Sequence, residues 1–149
     1  MKSLLSTTAL ATLLATGSIY AAGDLTRANP QEVVMEMGSS GGSMYFKPSH
    51  LEFETGKAYK LVLKNTDKTK HEVESHEMVQ RIFTRKVEVV DSSGNMIAEI
   101  KGSVSEIEVG PGGIVEWFFV PLQPGKNLAM ECAIEGHKEA GMVGTVTIN

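Results

Sequence analysis

Residues 128–148 read LAMECAIEGHKEAGMVGTVTI, and their pattern decides the fold. Residues 128–132 and 143–148 read as two short strands, joined by a loop punctuated with glycine. Cys132, His137 and Met142 recur with four residues between each and the next. A thiolate, an imidazole and a thioether make a soft donor set, which selects copper over magnesium or calcium. Cys132 ends one strand, Met142 precedes the next, and Gly136 and Gly141 let the backbone curl around a single ion. One loop thus offers three ligands, and a fourth must come from elsewhere in the fold.

A cysteine, two histidines and a weak axial methionine form the donor set of blue copper, so the fourth ligand should be a histidine. His71 leads, because it follows the apolar run 59–63 and the turn Asn65-Thr66-Asp67, which places it at a sandwich end. His76, five residues on, and His50, in an early turn after Pro48, remain the alternatives.

Outward from the loop, short apolar-polar runs occur at 31–37, 44–47, 51–54, 59–63, 86–90, 96–100, 104–109 and 114–120. Residues 78–81 suit one helical turn. Short strands separated by Gly, Pro and Asn at this spacing predict an all-β fold, an antiparallel Greek-key sandwich. No repeat or linker interrupts residues 23–149, which read as one domain. The chain of 149 residues is 42% hydrophobic and 21% charged, with a formal net charge of −4. That balance excludes disorder and argues against nucleic-acid or anionic-membrane binding.

Residues 1–22 read as a secretory signal peptide: Lys2, a short apolar run, then small residues up to Ala21 and Ala22. The run is interrupted by Ser and Thr and falls short of the ~20 apolar residues of a spanning helix. Stable membrane insertion is not expected. Export sharpens the position of Cys132, the only cysteine: an odd thiol in an oxidising compartment is reactive or ligating.

Other chemistries fit the pattern less well. A catalytic Cys-His pair needs an orienting group and an oxyanion site. Structural zinc favours several cysteines, a dinuclear copper site a second cysteine, and a multicopper oxidase paired His-x-His motifs. The sequence contains none of these. Met35, Met37, Met44, Met78 and Met96 are scattered like core fillers, and Met130 shares the strand face of Cys132. Glu72, Glu74, Glu77, Glu131, Glu135 and Glu139 form an acidic rim in sequence, suited to steering a basic partner.

The run Cys132 to His137, followed by Glu139-Ala140-Gly141-Met142, resembles the metal loop of the cupredoxins, mononuclear type 1 copper proteins. The spacing is rusticyanin-like. Thr84-Arg85-Lys86-Val87 and the Glu-Ala-Gly-Met ending are most similar to the CopI-like periplasmic cupredoxins linked to copper tolerance. Two departures stand out: Glu135 where many relatives have Pro, and Glu72 where others carry Asn. The resemblance implies a sandwich of about eight strands. It also implies one type 1 copper held by His71, Cys132, His137 and, weakly, Met142. It further implies a periplasmic single-electron carrier, not an enzyme, acting as a monomer with a redox partner such as a cytochrome, copper oxidase or copper reductase. The alternative is a protein of copper resistance, sequestration or delivery on the same fold.

Overall fold

Alternating burial turns these runs into eleven strands and one helical turn in a computed structural model, which describes Leu25 and residues 28–149. The signal-peptide reading of residues 1–22 lies outside the described residues. In chain order the elements are β1 (Gln31–Ser40), β2 (Ser43–Lys47), β3 (His50–Phe53), β4 (Tyr59–Asn65), β5 (His71–Glu74) and α1 (His76–Val79). They continue with β6 (Ile82–Val90), β7 (Met96–Ile100), β8 (Glu106–Val109), β9 (Ile114–Pro121), β10 (Gly125–Glu131) and β11 (Val143–Ile148).

Two sheets pack face to face. One has the order β2-β1-β4-β9-β6-β7 and the other β3-β11-β10-β5-β8. Leu61, Leu63, Trp117 and Phe119 face inward from the first sheet and meet Leu51, Phe53, Leu128, Val146 and Ile148 from the second. Phe53 lies edge-on to Phe119 with ring centroids 5.0 Å apart, tying the two layers together. The all-β sandwich therefore stands.

The expectation of purely antiparallel pairing does not. β1 runs parallel to β4, and β3 runs parallel to β11. After the β1–β2 hairpin the chain crosses to the second sheet for β3. It then returns to lay β4 beside β1 in the same direction. The eleven strands exceed the eight or so implied by the resemblance: ten match the runs read in the sequence, and β5 forms from residues not read as a strand. β6 begins at Ile82, earlier than expected, because its register against β9 shifts between Thr84 and Lys86 and hides the alternation. The helical turn sits at His76–Val79, two residues earlier than expected.

The sheet order brings three segments to one end. β10 and β11 pair antiparallel from Leu128↔Val146 to Glu131↔Val143, closing the base of the 132–142 loop. β5 flanks β10 through Glu74↔Glu131, and His71 pairs with Val109 of β8. Buried Asn65 closes this end: its amide donates to the carbonyls of Thr69 (2.7 Å), Val109 (2.9 Å) and Gly110 (3.0 Å).

Candidate metal centre

The 132–142 loop is a self-bonded coil rather than a free excursion. Cys132 N–H donates to the Met142 carbonyl (3.1 Å), and Met142 N–H donates to the His137 carbonyl (3.0 Å). Turns from His137 N–H to Ile134 O and from Ala140 N–H to Gly136 O tighten it further. Gly136 and Gly141 adopt φ of +80° and +101°, which other residues reach only under strain. The loop's own hydrogen bonds thereby set Cys132, His137 and Met142 relative to one another.

His71 enters from the neighbouring strand. Its Nδ1 lies 3.3 Å from Nδ1 of His137, and that atom lies 3.3 Å from Sγ of Cys132. The three donor atoms all fall within 4.8 Å of one another. Ligands about 2.0–2.3 Å from one ion at tetrahedral or trigonal angles stand about 3.3–3.8 Å apart, so these residues fit a metal. His71, Cys132 and Met142 are fully buried, whereas His137 is partly exposed. Met142 is tied to the base of the same loop by backbone bonds to Cys132 and His137.

The other two histidines stay outside this group. His76 is exposed and pairs with Glu74 at 2.7 Å. His50 bonds through Nδ1 to the Thr145 hydroxyl at 2.7 Å.

Burial pushes the Cys132 thiol up, opposed by backbone N–H groups of Glu72 and Ile134 that favour the thiolate. The Glu72 N–H stands 3.3 Å from the sulfur. Because this donor is backbone, having glutamate at this position rather than asparagine leaves the bond to sulfur intact. The Glu72 side chain fares differently. One carboxylate oxygen is buried without a partner, and burial first, then Glu106, Glu74 and Glu108, raises its affinity for a proton. His137 is pushed down by burial and then by neighbouring His71, which keeps its ring neutral and available as a donor.

One contact was not legible in the sequence. Asp67 reaches His71 Nε2 with Oδ2 at 3.2 Å, on the ring edge away from the cluster. Ser39 first, then the Lys68 N–H, holds the Asp67 carboxyl down at about 2. The only sequence signal was its place in the turn four residues before His71. Around the loop, Glu131 pairs with Lys138 at 2.6 Å, while Glu135 and Glu139 are exposed. Exposed Ala133 and Val143, with half-buried Ile134 and Ala140, make an apolar rim near His137.

A family model described as copper binding proteins, plastocyanin/azurin family, matches residues 33–149. The chain belongs to this family. The cupredoxin resemblance read from the loop is thereby borne out, and the soft donor cluster sits in a copper-binding fold. The copper-resistant cuproprotein CopI of Pseudomonas aeruginosa is 28% identical, the match covering 72% of each chain. Among solved structures, the copper nitrite reductase of Nitrosomonas europaea superposes over 80% of this chain at 14% identity and a TM-score of 0.62. The McoA multicopper oxidase of Aquifex aeolicus superposes over 82% at 15% identity and a TM-score of 0.60. The chain spans 49% and 30% of those two larger proteins, and at such identities the likeness establishes the fold alone. No helix among the described residues is long and apolar enough to cross a membrane.

Proposed function

We propose that this chain is a mononuclear type 1 copper protein that carries single electrons between redox partners in the periplasm. His71 and His137 would hold the ion through Nδ1, Cys132 through its thiolate and Met142, more weakly, through its thioether. The observation that carries the reading is the convergence of both Nδ1 atoms and the Cys132 sulfur within 4.8 Å, with His137 Nδ1 3.3 Å from each of the other two, in a family of copper-binding proteins. Copper, when bound, supplies a one-electron Cu(II)/Cu(I) couple. The protein's part is to hold donors in one arrangement that suits both oxidation states. The paired β10 and β11 anchor both ends of the loop, and β5 anchors His71. The partly exposed His137 ring is the cluster's nearest approach to solvent, and its apolar rim suits close docking of a cytochrome or copper enzyme. A carrier of this kind transforms no substrate and works as a monomer. The signal-like residues 1–22 support export to the periplasm.

A second reading, a role in copper resistance, sequestration or delivery, is favoured by one specific observation: the 28% identity to the copper-resistant cuproprotein CopI. One experiment separates the two. The copper-loaded protein is cycled repeatedly by voltammetry, then challenged in the reduced state with a Cu(I) chelator. A shuttle retains its copper through many reversible cycles and yields it slowly. Prompt, complete transfer of Cu(I) to the chelator would favour delivery and contradict the shuttle.

A further inference from the structure

The buried His71 ring has one nitrogen turned to the donor cluster and the other bonded to a carboxylate, Asp67 Oδ2, at 3.2 Å. A carboxylate can only accept, so this contact places the ring proton on Nε2 and leaves the Nδ1 lone pair free. Asp67 is itself held in position. Its Oδ1 accepts the Lys68 N–H at 2.7 Å, its own N–H donates to Asn65 Oδ1 at 2.9 Å, and Ser39 nearby favours its ionised carboxylate. The Asp67 side chain is only 18% exposed, and that of His71 is 0% exposed, so water competes little for the contact.

We infer that Asp67 is the positioning residue of the copper site, selecting the His71 tautomer and setting its negative charge against Cu(II). This rests on the reading of His71 as a ligand through Nδ1. A carboxylate behind a ligating imidazole fixes ring orientation and raises donor basicity, and losing such a partner costs about 10–100-fold in metal affinity. The Asp67 charge favours the dication over the monocation, so its removal weakens Cu(II) more than Cu(I). Each tenfold loss confined to Cu(II) raises the one-electron potential by about 59 mV. The turn 65–67 thus connects the Ser39 end of β1 to the copper centre through His71, a path separate from the thiolate loop.

The test compares wild type with Asp67→Asn, which keeps the shape and an acceptor for the Lys68 N–H, and with Ser39→Ala, which loosens the carboxylate but keeps its charge. In the metal-free wild type, NMR of the imidazole nitrogens should place the His71 proton on Nε2; a proton on Nδ1 overturns the inference. In the loaded proteins, Asp67→Asn should retain the thiolate-to-copper absorption, bind Cu(II) about 10–100-fold more weakly and show a raised potential. Ser39→Ala should shift both in the same direction by less, and it decides the matter if Asp67→Asn fails to fold. An intact absorption band with unchanged Cu(II) affinity and potential overturns the role of Asp67 alone. Absence of that band in wild type overturns the ligand reading and this inference with it.

Discussion

Cys132, His137 and Met142 were legible as candidate ligands from spacing, because a single loop holds them and local sequence sets their relation. His71 was legible only as the first of three candidates, since its place depends on the pairing of β5 with β8 and β10. Asp67 was legible only as a turn residue, since its bond to His71 needs the turn and the strand to be in place together. The pH behaviour of His137 follows from its surroundings. Burial and then His71 hold its folded pKa below the ordinary 6.5, so the fold favours the neutral ring. Its contribution to stability is present above 6.5 and is lost as pH falls through the folded value, because the unfolded chain takes the proton first. Urea midpoints of the metal-free protein should therefore fall between about pH 7 and pH 5, at a slope below about 1.4 kcal/mol per pH unit from this residue. In His137→Gln the decline should be shallower. Equal slopes in the two proteins would contradict this reading of the ring.

At the scale of the element, the site depends on how closely β11 approaches the chain that leads into β3. A Cβ on Gly144 would meet the Ser49 carbonyl oxygen at 2.5 Å and Met130 Cε at 2.6 Å. The Ser49 oxygen accepts the Thr145 N–H at 2.9 Å, so the obstruction is backbone already in use and cannot move cheaply. Gly144→Ala should cost about 1–3 kcal/mol in chemical denaturation, the ordinary cost of overpacking. An unchanged midpoint would mean that β3 is free to shift. Alternation revealed most strands, but β5 escaped it. Four residues, two of them glutamates, carry too little pattern, although His71 and Val73 are buried and Glu72 and Glu74 partly so. The start of β6 was hidden by the irregularity at Thr84–Lys86, which puts the residues before it out of phase with those after.

For the whole molecule, the alternating runs carried the two-layer sandwich but not its strand directions. A period of two reports which face is buried and says nothing of which way a neighbour runs, so the parallel β1/β4 and β3/β11 pairs were invisible. The site end rests instead on antiparallel neighbours: β11, β10 and β5, the strands that deliver the thiolate loop and His71, lie side by side in one sheet. The central claim is that donors 61 and 66 residues apart, His71 with Cys132 and with His137, join in one copper site. The most direct measurement is a titration of the purified protein with Cu(II), followed by visible absorption and EPR and repeated with Cys132→Ser. The expected result is one equivalent of copper producing intense thiolate-to-copper absorption that the variant lacks. Weak absorption of equal strength in both proteins would place copper on surface histidines and carboxylates and contradict the claim.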